Sequence, residues 1–314
     1  VETAVVVAPA KINTRLEVLG KRADGYHELD TFLVAIDLAD EIRVDLADHG
    51  DVRLSLEGPQ VSSDIPCDDR NLAVRAARAV LQVARVLGKA GPRTGLDLVL
   101  TKRIPSQSGL GGASSDAAGA WLGAAHLLEV AFSVAERDEL LAALGSDTVF
   151  FAAAGATGAA RCTGRGGHVE QRPAPSGWSI ALVTPRVVCP TAQVYSAFTS
   201  LLRGARAVST VPRTDGFSIP AHAARSLLAN DLEPAALAAV PGLHAWRESL
   251  DALGMQHFCL SGSGSSFFGL YPDDAAAAID LERIEALARA RRLDVRFAGV
   301  VHPAGHGVRL RPYV

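Results

Sequence analysis

Only four cysteines occur in the 314 residues, and Cys67, Cys162, Cys189 and Cys259 form no C-x-x-C pair and stand at no zinc-ligand spacing from histidine. This leaves no framework for structural zinc, dithiol redox chemistry or a disulfide-stapled fold. Four reduced thiols in a cytoplasmic protein are expected. His302 and His306 lie four apart, but glycine and proline surround them, which predicts a loop and not a metal-binding helix. There is no long basic run and the formal net charge is −3. Neither nucleic acid nor an anionic membrane is therefore expected as a partner. No segment approaches the roughly 20 apolar residues of a membrane span. The apolar run over 4–8 has no basic leader and only the length of a strand, so it does not read as a signal peptide. No internal repeat is visible. Two familiar phosphate-binding patterns, G-x-x-x-x-G-K-[ST] and G-x-G-x-x-G, are also missing.

What is present is a soluble globular composition, 48% hydrophobic and 21% charged, in a chain long enough for two domains. The most informative stretch is Pro105, Ser106, Gln107, Ser108, Gly109, Leu110, Gly111, Gly112, Ala113, Ser114 and Ser115. Its glycines let backbone approach a ligand without Cβ clashes. A helix expected to begin near Ser115 and Asp116 offers free N–H groups and the positive end of its dipole. Together these form a cradle for a polyphosphate. A capped turn before an ordinary helix is the weaker reading, because three glycines and two serines crowd one helix entrance.

The pattern elsewhere alternates strands and helices. Strands are expected over 4–8 and 11–19, broken at Pro9, with Ile12, Thr14, Leu16 and Val18 on one face and Lys11, Asn13, Arg15 and Glu17 on the other. Further strands fall over 41–46, 52–56 and 96–100. Helices are expected over 71–87, over 115–128, and from the capping box Ser133-Val-Ala-Glu136 to Gly145. Five glycines between 155 and 167 mark a change of composition, and the domain boundary is placed there, giving residues 1–165 and 166–314. The second part reads as strand 179–184, helical segments between 191 and 253, strand 256–260, strand 266–271, helix 273–292 and strand 294–301. Strands and helices mixed in this way are compatible with a split βαβ plan.

Several residues admit two readings. Lys11 and Asn13 share a polar strand face, where solvation is the ordinary fate of a lysine. Asp24-Gly25-Tyr26-His27 is a turn into a strand. Its two rings either lie on opposite faces or meet a flat ligand. Asp147 caps the following helix or takes the proton of a substrate hydroxyl. If it is a base, a neighbouring lysine would hold it ionised and offset charge on a moving phosphoryl group. Ser261, Gly262, Ser263 and Gly264 form a tight turn between strands, or allow close approach to phosphates or to the first glycine loop.

In this order the pieces resemble the GHMP kinase superfamily: Pro9-Ala-Lys-Ile-Asn13, then 105–115, then Leu260-Ser-Gly-Ser-Gly264. Within it, Gly20-Lys-Arg-Ala-Asp-Gly-Tyr-His-Glu28, Gly145-Ser-Asp147 with Phe150-Phe151, and Asn230-Asp-Leu-Glu233 resemble one branch. Its members phosphorylate the 2-hydroxyl of a cytidine-diphosphate-linked methylerythritol in the non-mevalonate isoprenoid pathway. The resemblance covers nearly the whole chain and is weakest over 205–221 and in the last dozen residues. It implies an α+β fold of two domains, one like ribosomal protein S5 and one ferredoxin-like, with the site between them. It implies Lys11 and Asp147 as the catalytic pair, residues 105–115 around the phosphates of ATP, and Asn13 near the substrate. Tyr26 and His27 would contact the cytosine, with Tyr195 on its other side. Mg2+ would be carried by the phosphates, with Ser115 beside it and no acidic ligand assignable; for Asp116 a capping role is favoured over metal binding. The expected partner is a small molecule bearing a cytidine diphosphate group, and the expected state is a monomer or homodimer. Val149, Thr14, Ala113 and the pair Ser265-Ser266 depart from the usual pattern, and none of them is a proposed catalytic group. A homoserine- or mevalonate-type kinase is disfavoured by Tyr26-His27, since those substrates carry no base. A nucleotide sensor without turnover is disfavoured by the presence of both Lys11 and Asp147.

Overall fold

The computed structural model describes residues 2–202 and 217–312. Most of the stretch of weakest resemblance, and part of the helical region expected after residue 191, lie outside the described residues.

Two long antiparallel strands form the spine of a large sheet, β1 (Thr3–Lys21) and β2 (His27–Asp48). Pro9 does not divide β1 in two as the sequence predicts. The strand runs through it with a register shift, Pro9 facing Ala39 and Ala10 facing Ile36. A bulge is where a residue without an N–H is tolerated in a sheet. The second half of β2 pairs with β4 (Thr94–Thr101), which carries β3 (Val52–Glu57) in parallel on its far side. The first half of β2 pairs instead with β5 (Ala159–Gly164), and β5 with β6 (His168–Arg172). The glycine-rich region thus holds a hairpin of the large sheet.

The small sheet has the order β11-β7-β10-β9, from β7 (Ser179–Pro185), β9 (Cys259–Leu260), β10 (Phe267–Tyr271) and β11 (Val295–Val301), all antiparallel. In chain order this is 4-1-3-2, the ferredoxin-like arrangement of a split βαβ plan. The strand expected over 256–260 shrinks to its last two residues. Two short strands return from the second half to β1: β8 (Ala229–Asn230), which is parallel to it, and β12 (Arg309–Leu310), which is antiparallel.

Helices α1 (Leu72–Val86), α2 (Gly112–Leu127), α3 (Val134–Ala142) and α4 (Thr148–Ala153) follow the expected order. Asn71 caps α1 through the Ala73 N–H, and the Ser133/Glu136 capping box opens α3. In the second half come α5 (Thr191–Leu202), α6 (Ala221–Ala224), α7 (Glu233–Ala239), α8 (Pro241–Ala252) and α9 (Asp274–Arg291). The molecule is layered. Ile42 and Val44 pack on α1 and α2, while Ile12, Val34 and Ile36 pack on Ile180, Leu182 and Phe268 of the small sheet. The other face of the small sheet packs on α5, α7, α8 and α9. Leu33 and Ala35 alternate to the opposite side and meet Phe150 and Phe151 of α4. Both faces of β1 are therefore covered, and this places Lys11 inside the molecule. Among the described residues no helix is long and apolar enough to cross a membrane.

Candidate active site

Lys11 is only 3% exposed, which corrects the expectation of a solvated polar face. Its N–H bonds the Leu110 carbonyl at 2.9 Å, tying β1 to the glycine loop. Its ammonium donates to Asn13 Oδ1 at 2.5 Å and to the Gly109 carbonyl at 2.7 Å. Asn13 Nδ2 donates to Thr31 Oγ1 at 2.9 Å, and that hydroxyl donates to the Arg15 carbonyl at 2.7 Å. The chain of donors fixes the amide so that its oxygen faces Lys11. Asp147 completes the surroundings of the ammonium as an ion pair, its Oδ2 lying 3.7 Å away. Burial lowers the Lys11 pKa, and the neighbouring Asp147 opposes that shift.

Asp147 sits immediately before α4 but makes no side-chain capping bond. The first of its two sequence readings, a helix cap, is therefore corrected. Its carboxylate is one-third exposed, open to a ligand beside Lys11. Behind the pair, burial and the Asp147 charge push the Cys162 thiol up, so it stays an inert neutral wall.

Helix α2 starts at Gly112, three residues earlier than the sequence predicts. Gly111, in the left-handed region at φ 73°, takes the cap position, and no side chain caps the helix. The first intrahelical bond comes from the Ser115 N–H to the Gly111 carbonyl at 3.0 Å. The N–H groups of Gly112, Ala113 and Ser114 are thus the free donors of the first turn. Gly109 also has a positive φ of 76°, and a Cβ there would stand 2.1 Å from the Ser261 carbonyl oxygen. Residues 105–109 and 111–114 line a cavity of about 480 Å³ that also exposes Lys11, Asn13 and Asp147. Leu110 does not line it and is core, while Ser115 Oγ lies buried with no hydrogen-bond partner.

The third glycine turn braces this loop. Ser261 Oγ donates to the Gly109 carbonyl at 3.0 Å, and Gly262 comes so close that a Cβ would be 3.2 Å from Lys11 Nζ. Ser263 Oγ pairs with Thr191 Oγ1 at 2.9 Å, and Gly264 turns with φ 92°. Asn230 Nδ2 donates to the carbonyls of Leu260 and Gly262, both at 2.7 Å, and Glu233 accepts the Leu260 N–H at 3.0 Å. The run Asn230–Glu233 therefore acts on the turn rather than on a ligand.

A second cavity of about 720 Å³ adjoins the first, sharing Leu29, Ser146, Thr191 and Tyr195 with it. His27 stacks on Tyr195 (centroids 4.9 Å apart, planes at 29°) and contacts Thr199 Oγ1 through Nε2 at 3.1 Å. Burial and the nearby Lys21 charge lower the His27 pKa, favouring the neutral ring. Burial and the Asp147 charge push the Tyr195 phenol up, keeping it protonated. Tyr26 is half exposed and outside this stack; the Arg165 guanidinium covers its ring.

Residues 71–156 match the family model of the GHMP kinases N terminal domain, and residues 217–289 match that of the GHMP kinases C terminal. A 4-diphosphocytidyl-2-C-methyl-D-erythritol kinase of Geobacter sp. (strain M21) is 36% identical over 89% of this chain and 94% of its own length. The chain belongs to this family of GHMP kinases. The enzyme of the same description from Shouchella clausii is 35% identical over 84% of both chains. A crystal structure of 4-(cytidine 5'-diphospho)-2C-methyl-D-erythritol kinase superposes with a TM-score of 0.69 at 29% identity, covering 95% of this chain and 99% of the other. Homoserine kinase from Cytophaga hutchinsonii shares the fold, with a TM-score of 0.66 at 17% identity.

Three parts of this GHMP kinase carry no sequence signal of their own. Lys102, at the end of β4, bonds Asp116 Oδ2 at 2.8 Å and also Asp40, all three buried. Asp40 accepts the N–H groups of Arg103 and Ile104 as well, fixing the entry to the glycine loop. Asp116 is thus part of an ion cluster under α2 and not a helix cap. Burial pushes its carboxyl well above the usual range against the pull of Lys102. Burial would lower Lys102 itself, but Asp116 and Asp40 outweigh it and the net shift is upward. At the loop's outer end, Asp64 accepts from Ser106 Oγ at 2.8 Å and Gln107 Nε2 at 3.0 Å. Hydrogen bonds, that of Ser62 first, hold its pKa down to about 2. Arg296 of β11 reaches across from the small sheet to the Ser106 carbonyl at 2.9 Å and to Gln60 at 3.1 Å.

Among the described residues no group of three or more His, Cys, Asp or Glu could hold a metal ion unaided. The orphaned hydroxyl of Ser115 at the helix mouth fits an ion brought in by phosphates.

Proposed function

We propose that this kinase transfers the γ-phosphoryl group of ATP to the 2-hydroxyl of 4-diphosphocytidyl-2-C-methyl-D-erythritol. The observation that carries the reading is the placement of Lys11 beside Asp147 at the mouth of α2, where the phosphate-loop cavity meets the aromatic cavity. Residues 105–109 and 111–114 hold the triphosphate, with the free N–H groups of the first turn and the helix dipole directed at it. The substrate hydroxyl lies against Asp147, which orients it and receives its proton as the oxygen bonds to the γ-phosphorus. The bond to the bridging oxygen breaks and ADP leaves. Lys11, held by Asn13 and the Gly109 carbonyl, offsets charge on the transferring group. Ser115 would meet a magnesium ion carried by the phosphates, which would supply further neutralisation. The aromatic cavity, with Tyr26, His27 and Tyr195, takes the cytosine, and this remote binding energy positions the reacting alcohol. In this reading residues 1–165 hold the nucleotide and 166–314 form the second part, with β6, β8 and β12 returning to the large sheet.

The test is coupled ADP release with ATP and each of three acceptors: the cytidyl-diphosphate substrate, mevalonate and homoserine. Turnover is expected with the first alone. Turnover with mevalonate or homoserine and none with the cytidyl compound would reverse the assignment.

A further inference from the structure

Arg165 stands at the turn between β5 and β6, flanked by Gly164 at φ 73° and Gly166 at φ 101°. Its guanidinium carbon lies 3.5 Å from the centre of the Tyr26 ring. Its Nε is buried without a hydrogen-bond partner, and among the described residues no carboxylate lies within ion-pair distance of the group. Asp24, on the same turn as Tyr26, feels the Arg165 charge, but its hydrogen bonds go to Arg22 Nε at 3.2 Å and the Tyr26 N–H at 3.1 Å. Lys21 lines the same cavity and is likewise without an ion-pair partner among the described residues. Among the described residues no acidic side chain lines the cavity. Two cations with no carboxylate in ion-pair contact among the described residues, beside aromatic rings, suit a ligand that joins a flat ring to an anion.

We propose that Arg165 binds the diphosphate of the substrate, with Lys21 as a second positive charge, and that the Tyr26 ring holds the guanidinium ready in the absence of that anion. This assignment rests on the substrate reading given above. A ring face attracts a guanidinium without neutralising it, so the charge stays available. A planar fork of N–H donors paired with phosphate oxygens is the stronger contact. An arriving diphosphate therefore draws Arg165 off the ring, and the vacated face of Tyr26 becomes open to the pyrimidine.

Calorimetric titration of the full chain with cytidine, CMP and CDP separates the roles. Wild type is expected to bind CDP more tightly than cytidine. Arg165→Gln should weaken CDP by about tenfold to a hundredfold, the worth of a charged hydrogen bond, and leave cytidine within about twofold. Arg165→Lys should recover part of the CDP affinity, and thermal melting should show both variants folded as wild type. Equal losses for cytidine and CDP would reduce Arg165 to a prop for Tyr26 and overturn the assignment. A CDP preference that survives intact in Arg165→Gln would overturn it while leaving the substrate reading in place. Failure of wild type to bind any of the three ligands would overturn both.

Discussion

The carboxylate of Asp147 is worth little to the fold and, in the mechanism proposed above, much to the chemistry. It caps nothing, and its only close ionic partner among the described residues is Lys11 at 3.7 Å. Asp147→Asn is therefore expected to leave the unfolding midpoint nearly unchanged while lowering kcat by about 10²–10⁴-fold. A variant that melts much earlier, or turns over near-normally, would remove Asp147 from the proton path. Lys11 predicts a pH dependence. The proposed mechanism needs its charged form, and burial places its pKa below the ordinary 10.5 against the pull of Asp147. The charged fraction therefore falls at a lower pH than for an exposed lysine, and kcat/KM should decline on the alkaline side below pH 10.5. Bound phosphates favour the ammonium, so the limb of kcat should lie at higher pH than that of kcat/KM. A pH–rate profile of both parameters checks the order.

Among the elements, the junction of β2, β4 and α2 is fastened by Asp40, Lys102 and Asp116. Lys102→Met strands two buried carboxylates and should cost about 3–5 kcal/mol in denaturant unfolding. The lower end is expected because Asp40 keeps the N–H groups of Arg103 and Ile104. Adding Asp116→Asn to Lys102→Met should recover part of the loss, and additive losses would mean that the cluster does not act as a unit. This junction was illegible in the sequence, since each member is a single charge in a different segment with no shared spacing. The glycine loop was legible because glycine and serine clustering is a local signal. The start of α2 was misplaced because Gly112 and Ala113 read as loop, whereas the left-handed cap at Gly111 lets the helix begin there. The burial of Lys11 was missed for a different reason. Alternation along β1 shows that two faces differ, but not that α2, α4 and the small sheet cover both. Strands two residues long, such as β8 and β12, leave no periodicity to read.

Across the molecule, contacts from the small sheet and from the connection after β3 meet at the glycine loop. Arg296 of the small sheet grips Ser106, and Asp64 grips Ser106 and Gln107 from the long connection after β3. Arg296→Gln should raise KM for ATP up to about tenfold and leave KM for the acceptor unchanged, as steady-state kinetics with each substrate varied would reveal. Parallel rises in both constants would mean a general loosening. The common wall of the two cavities, built by Leu29, Ser146, Thr191 and Tyr195, has a pharmacological consequence. One inhibitor could carry a phosphate mimic on one end and a pyrimidine on the other, the first anchoring raising the local concentration of the second. Potency would come from the tether, and selectivity over kinases of baseless alcohols from the pyrimidine end alone.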